Sequence, residues 1–360
     1  MKHSVLIVGY GTMGIVHTKK LSAMPDVTVK GAVDIDPRAL DEVRAAGMVA
    51  YESLEEGLAD PEIDLVVIST PNEAHKPIAL AALAAGKNVM TEKPAMLDSA
   101  ELEEVIEAAK ASGKVFTVHQ NRRWDEDYLV MKKLYDEQTM GPVTYIESRI
   151  DGSRGIPGDW RRDPERGGGM VLDWGVHLVD RLLLMVPSPV TRVFARYSYA
   201  KGLPVEDGFR IQMSYANGVE ALAVCTTNNF IGLPKFHMEA VHGTAQIEDW
   251  QMNGKIVRLF DKENDADATP ILAGQGMTKT MAPRLIDYAE RAKVQDNVEI
   301  LSIPRIETGM DEFYDNLIAS IEGREEPVVQ VDSVLRCLRV LEAARQSHET
   351  GEAIAFESAD

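Results

Sequence analysis

By its fourteenth residue the chain has written one specific kind of turn. An apolar stretch from Ser4 to Tyr10 reads as a buried strand and runs into Gly9-Tyr10-Gly11-Thr12-Met13-Gly14, and a helical pattern follows from Thr12 to Met24. A GxGxxG spacing alone is a weak signal, because glycines also mark ordinary turns. Its context here makes it specific. It lies between a strand and a helix, and Asp34 falls 20 positions after Gly14, at the end of a second apolar strand from Val27 to Asp34. Gly9 permits the tight turn, Gly11 lets a pyrophosphate approach the backbone, and Gly14 lets helix and strand pack closely. The helix N-terminus, with Thr12 and Met13, supplies positive potential. Asp34 is placed to accept hydrogen bonds from a ribose diol. A carboxylate there repels a 2′-phosphate, so the expected cofactor is NAD, with NADP second because Arg38 and Arg44 are near in sequence. Ile35 and Arg38 are counted with the expected cofactor surface.

The rhythm of the next hundred residues extends this start into a domain. Apolar strands are expected at Asp64 to Thr70, Asn88 to Glu92 and Val115 to Gln120. Helices are expected at Pro37 to Ala46 (Asp36 as N-cap), Ala74 to Ala85 and Ser99 to Ala111. Continuous apolar strands alternating with helices predict an α/β Rossmann domain, a doubly wound parallel sheet covered on both faces, over residues 1–120. After Gln120 the pattern changes. Helices are expected at Tyr128 to Asp136, Met170 to Met185, Asp311 to Ile321 and Ser333 to Ser347. Several β-like runs between Val143 and Trp250 are joined by turn residues such as Asn217-Gly218 and His242-Gly243. This predicts an α+β domain with a large open, mostly antiparallel sheet over residues 121–360. Residues 251–305 carry the weakest pattern.

Composition narrows the function classes. With 360 residues, 45% hydrophobic and 26% charged, the chain can build two cores without staples. Cys225 and Cys337 form no paired motif, which suits a reducing compartment. The formal net charge of -19 repels phosphate backbones and anionic membranes, so a nucleic-acid partner is disfavoured. No apolar run approaches the roughly 20 residues of a membrane span, and no leader pattern is seen, so the expected location is cytoplasmic.

Three further motifs fall where such a fold builds its crevice, beyond the carboxyl ends of the strands. Ser69-Thr70-Pro71-Asn72, with His75 after it, ends the third expected strand, and Glu92-Lys93-Pro94 ends the fourth. Gly167-Gly168-Gly169 leads to Asp173, Gly175 and His177. With Asn121-Arg122-Arg123-Trp124, these residues make nearly the whole chain resemble the glucose–fructose oxidoreductase/inositol dehydrogenase (Gfo/Idh/MocA) family. The resemblance implies a Rossmann domain, then an α/β domain whose open sheet commonly forms an oligomer interface. The implied activity is NAD(P)-dependent oxidation or reduction of a hydroxyl on a sugar, glycoside or cyclitol. Carried over onto matching positions, Lys93 becomes the catalytic lysine and Asp173 and His177 the paired active-site residues. Thr70, Pro71, Asn72, His75, Glu92 and Pro94 line the nicotinamide or the adjacent cofactor surface.

The chemistry is coherent without the resemblance. Oxidising an alcohol requires a base for the hydroxyl proton and a positive group for developing alkoxide charge. His177 can be the base and Lys93 a partner in the proton relay. Asp173, four positions from His177 on one expected helix, can orient the imidazole or accept a sugar hydroxyl. Arg122, Trp160 and Arg162 are candidate substrate contacts, since aromatic faces and fork-shaped donors suit sugar rings, while Asp180 and Arg181 read as structural. Asp173 and His177 lack a third ligand at recognisable spacing, so no metal is expected. The expected activity is oxidation of a secondary hydroxyl, with a 3-keto sugar as one product. A glycosidase that uses NAD transiently, or a non-catalytic dinucleotide-binding sensor, are the rivals. Lys93–Pro94 is a candidate cis peptide.

Overall fold

The computed structural model describes residues 3–260, 271–273, 278–280 and 298–357. The first sheet is made by β1 (His3–Val8), β2 (Val27–Val33), β3 (Val49–Tyr51), β4 (Leu65–Ile68), β5 (Asn88–Thr91) and β6 (Phe116–Val118). Between them run α1 (Thr12–Ser22), α2 (Pro37–Ala45), α3 (Leu54–Ala59), α4 (His75–Ala84) and α5 (Ser99–Ser112). All pairings are parallel, in the order β3-β2-β1-β4-β5-β6. Val5, Leu6 and Ile7 of β1 and all of β4 are fully buried, as strands covered by helices on both faces must be. The strand order reverses between β1 and β4, and a crevice opens there at their carboxyl ends.

Two elements of this sheet escape a reading of apolar periodicity, β3 and α3. Three and six residues long, they are too short to show a period. A side-chain N-cap does mark the helix. Ser53 Oγ accepts from the Glu56 amide at 3.1 Å, and Glu56 Oε2 accepts from the Glu52 amide at 2.8 Å.

The second part of the chain forms α6 (Glu126–Asp136), β7 (Val143–Asp151), α7 (Val176–Met185), β8 (Val190–Ser198), β9 (Gly208–Tyr215), β10 (Glu220–Thr226), β11 (Phe236–Ala240), β12 (Gly243–Ile247) and β13 (Gly254–Leu259). Then come β14 (Ile271–Ala273), β15 (Thr278–Thr280), β16 (Val298–Ser302), α8 (Asp311–Ile321), α9 (Val331–Thr350) and β17 (Ile354–Ala355). Nine of the strands make one sheet, in the order β16-β13-β12-β11-β7-β10-β9-β8-β17. Every pair is antiparallel except β10 with β7. Among the described residues, β14 and β15 pair with each other and with no other strand.

The expected helix from Met170 to Met185 is not uniform. Val171–Gly175 is a π-helical turn, and the α-helix begins only at Val176. α7 is buried almost throughout, including Asp180 and Arg181. Burying charges requires partners. Arg123 donates two bonds to the Asp180 carboxylate, at 2.6 and 2.8 Å, and Arg181 pairs with Asp127 at 3.3 Å. α8 and α9 reach back to the first sheet. Tyr314 meets His17, and Thr117 Oγ1 donates to the Val329 carbonyl. Among the described residues no helix is long and apolar enough to cross a membrane.

Candidate active site

The three glycines divide their work as steric arguments require. Gly9 has φ +90°, and a Cβ there would lie 2.7 Å from the Ser69 carbonyl oxygen; one on Gly14 would lie 2.2 Å from the Gly9 oxygen. A Cβ on Gly11 would meet nothing within 4 Å. The loop is therefore closed on its protein side and open at Gly11, where α1 begins without a side-chain cap. Those free N–H groups and that open face fit a pyrophosphate. Asp34, half-buried at the end of β2, accepts from the Tyr10 amide at 2.6 Å and the Asp36 amide at 2.8 Å. Ile35 is fully exposed beside it. Arg38 is turned onto Asp36 at 2.7 Å and Arg44 onto Asp41 and Glu52, so neither guanidinium is paired with Asp34.

The two strand-end motifs are tied to each other and to the second part of the chain. Ser69 Oγ donates to the Gly9 carbonyl at 2.7 Å. His75 is fully buried, its ring nitrogens 2.9 Å from the Pro94 oxygen and 3.0 Å from the Thr70 oxygen. Asn72 donates to the Gly167 carbonyl at 3.1 Å. His75 thus joins the turn after β4 to the turn after β5, and Asn72 joins the first turn to the glycine loop before Asp173. The Thr70 hydroxyl is buried without a partner.

Glu92 is buried behind Lys93. Its Oε1 accepts from His17 Nε2 at 2.9 Å and His119 Nδ1 at 2.8 Å, its Oε2 accepts from the Lys93 amide at 3.2 Å, and Tyr314 continues the network through His17. Burial alone would raise the Glu92 carboxyl, but the His119 and His17 rings outweigh it and hold it well below the ordinary carboxylate range. These three side chains are the one cluster of metal-ligand type among the described residues. Both nitrogens lie at ordinary N–H···O distances from one oxygen, so the cluster is a hydrogen-bonded anchor as it stands.

The candidate catalytic residues Lys93 and Asp173 meet across the crevice. The Lys93–Pro94 peptide is cis. Lys93 Nζ donates to Asp173 Oδ1 at 2.9 Å and to the Asp173 carbonyl at 3.1 Å. Arg161 Nε donates to Asp173 Oδ2 at 3.0 Å, and its guanidinium lies over the Trp160 ring at 4.6 Å. Burial would raise the Asp173 carboxyl, but Lys93 and Arg161 lower it below its usual value. His177 is 4% exposed, and its Nδ1 is buried with no hydrogen-bond partner. Burial first, then the positive charges of Lys93, Arg122 and Arg181, push His177 well below the ordinary histidine range, so it is held neutral. The Trp174 ring meets it edge-on at 5.7 Å, and the Arg122 guanidinium covers Trp174 at 4.6 Å.

Two details differ from the sequence expectation, and a third was not foreseen. No hydrogen bond joins Asp173 to His177. The Asp173 carboxylate is spent on Lys93 and Arg161 instead. Arg162 is exposed and donates to the Ile156 carbonyl at 2.7 Å, so Arg161, which sequence reasoning passed over, is the arginine at Asp173. The triple glycine is packed tightly. A Cβ on Gly167 would strike Leu97, one on Gly168 the Arg161 carbonyl, and one on Gly169 (φ +101°) the Glu206 carboxylate at 2.3 Å.

Comparison with known proteins bears on this geometry. Residues 3–120 match a family model described as an oxidoreductase family with an NAD-binding Rossmann fold, and residues 128–246 match the GFO/IDH/MocA C-terminal domain. An NAD-binding protein from Listeria innocua is 41% identical, with a TM-score of 0.91 over 99% of each chain. An uncharacterized oxidoreductase of Schizosaccharomyces pombe is 30% identical over 85% of each chain. The scyllo-inositol 2-dehydrogenase (NADP(+)) of Bacillus subtilis is 31% identical over 58% of this chain and 59% of its own length.

Proposed function

The chain belongs to the GFO/IDH/MocA oxidoreductase family, and from that premise we propose that it oxidises a secondary hydroxyl of a sugar, glycoside or cyclitol with NAD. The observation that carries the reading is the Lys93 ammonium tied to Asp173 across the crevice, beside a neutral, buried His177. The open backbone at Gly11, with Thr12, Met13 and Asp34, would hold the dinucleotide, and bound NAD supplies the hydride acceptor. Asp34 favours NAD over NADP because its carboxylate opposes a 2′-phosphate, and Arg38 is engaged by Asp36.

This chain's residues manage the proton and the developing charge. The neutral imidazole accepts the hydroxyl proton at Nε2 as hydride leaves the same carbon, and its low proton affinity lets it release that proton to solvent once the ketone has departed. Lys93 stabilises alkoxide character as the hydroxyl is deprotonated, and Asp173 with Arg161 holds that ammonium in place. Arg122 and Trp160 border the position of the ring.

The test is NADH formation from NAD⁺ with inositols, hexoses and glycosides, with NADP⁺ in parallel. We expect turnover with at least one ring class and a preference for NAD⁺. Lys93→Met is expected to lower kcat by about 10²–10⁴-fold while NAD still binds. Parent-like turnover by Lys93→Met, or no NADH from any ring class, overturns the proposal.

A further inference from the structure

A cavity of about 320 Å³ lies beside the crevice, with Asp125, Lys235, Trp250 and Met310 among its walls. None of Lys93, Asp173 and His177 lines it, and the reaction above leaves it unassigned. Its size is at the small end of ligand pockets.

One side chain connects it to the catalytic groups. Arg122 Nη1 donates to Asp125 Oδ2 at 3.0 Å, and the same guanidinium lies 4.6 Å from the Trp174 ring centroid and 5.2 Å from that of Trp250. Trp174 is the ring in contact with His177. The cavity and the crevice are therefore one guanidinium apart. Arg122 Nε is also buried without a hydrogen-bond partner.

Trp250 is 54% exposed, yet it is held firmly. Lys235 Nζ lies 3.0 Å from its ring centroid, and Lys235 is buried and paired with Asp127 at 2.8 Å. An exposed indole fixed by two cations, each tied to a carboxylate, makes a rigid wall that loses little entropy when a ligand arrives. Every carboxylate at the cavity has a cation: Asp125 is paired with Arg122, Asp127 with Lys235 and Arg181, and Glu126 with Arg305, so no charge there is left free to select a phosphate or an ammonium group. An apolar indole edge, a carboxylate acceptor and ammonium and guanidinium donors together match an uncharged polyol ring.

We infer that this cavity is a second saccharide subsite, which takes the ring glycosidically linked to the one that reacts at Lys93, Asp173 and His177. Arg122 touches both rings. The inference rests on the polyol-oxidation reading and narrows its substrate to two-ring glycosides.

The experiment compares kcat/KM for NAD⁺ reduction with each monosaccharide and with its disaccharides (maltose, cellobiose and lactose among them), in the parent and in Trp250→Ala. Thermal unfolding checks that the variant folds. The expected result is a disaccharide preference of about tenfold or more in the parent, lost through KM in the variant, with monosaccharide kcat/KM unchanged within about twofold. Turnover with no such preference, or with equal losses for both substrates, overturns the subsite and leaves the oxidation reading standing. If no sugar reduces NAD⁺, the oxidation reading fails by itself. The subsite is then decided by calorimetric titration of the same three disaccharides: binding that Trp250→Ala abolishes supports it, and no binding overturns it.

Discussion

Three buried histidines make the folded protein sensitive to mild acid, and the size of the effect follows from their surroundings. His17 and His75 have no exposed surface and His177 has 4%. Burial pushes all three below the ordinary histidine value, with His177 furthest below. The unfolded chain takes up a proton at each imidazole near pH 6.5, whereas the folded protein does not until its own lower value is reached. Stability is therefore complete above about pH 6.5 and falls as the pH drops below it. Between pH 7.5 and 5.5 the linkage integral is about 1.4 kcal/mol for one histidine that stays neutral when folded, or at most about 4 kcal/mol for three. Glu92, Asp127 and Asp173 are held below the ordinary carboxylate range and titrate outside this window. Glu206 acts in the opposite sense. Burial raises its carboxyl, so the folded state gains its proton first on acidification, and Glu206→Gln removes that offset. The assay is urea unfolding of the NAD-free protein at both pH values, followed by tryptophan fluorescence. His177→Asn should reduce the pH-dependent loss by about 1.4 kcal/mol, whatever it costs at pH 7.5. If the parent is equally stable at both pH values, or if His177→Asn keeps the full loss, the imidazoles are not held neutral and the role given to His177 falls with them.

Two comparisons test the cofactor loop and the loop before Asp173. Gly169→Ala places a Cβ at φ +101° against Glu206 and should cost about 2–4 kcal/mol in unfolding experiments, whereas Gly11→Ala, which meets nothing, should keep parent stability and weaken NAD binding about tenfold or more; the opposite ranking would refute the division of labour among the glycines. Asp34→Ser removes the carboxylate that opposes a 2′-phosphate and should move the NAD⁺ to NADP⁺ ratio of dissociation constants at least about tenfold toward NADP⁺, measured by fluorescence titration, and an unchanged ratio would show that Asp34 does not read the ribose.

The fold was readable where burial is continuous. β1, β4 and β5 are buried almost throughout because helices cover both faces of the sheet, and Val5–Val8, Leu65–Ile68 and Val89–Met90 carry that burial as runs of apolar residues. β3 has one buried residue of three, so it carries no such mark, and its place in the sheet comes from parallel pairing with β2. The parallel pairing of β10 with β7 was equally hidden. A hairpin-like sequence of turns suggests antiparallel neighbours, and only the sheet as a whole decides which strand lies beside which.

For the candidate site, residue types and positions were legible and side-chain directions much less so. Glycine spacing and strand ends mark Lys93, Asp173 and His177 because these positions follow from where strands stop and a helix starts. Which way each side chain turns depends on partners that sequence spacing does not reveal. His17 meets Tyr314 from 297 positions away, and Asn72 meets Gly167 from 95. Those contacts use Asn72, His75 and Glu92 to hold the turns that carry Lys93. Arg161 and Arg162 show the same point at short range. In the turn at Trp160–Arg162 adjacent side chains diverge, so Arg161 reaches Asp173 and Arg162 turns to Ile156. Asp173 lies in the π-helical turn at Val171–Gly175 and gives both carboxylate oxygens to Lys93 and Arg161, so it makes no hydrogen bond to His177. The result is an ammonium fixed by a carboxylate beside a neutral imidazole, a division of charge that neither residue type nor spacing predicts.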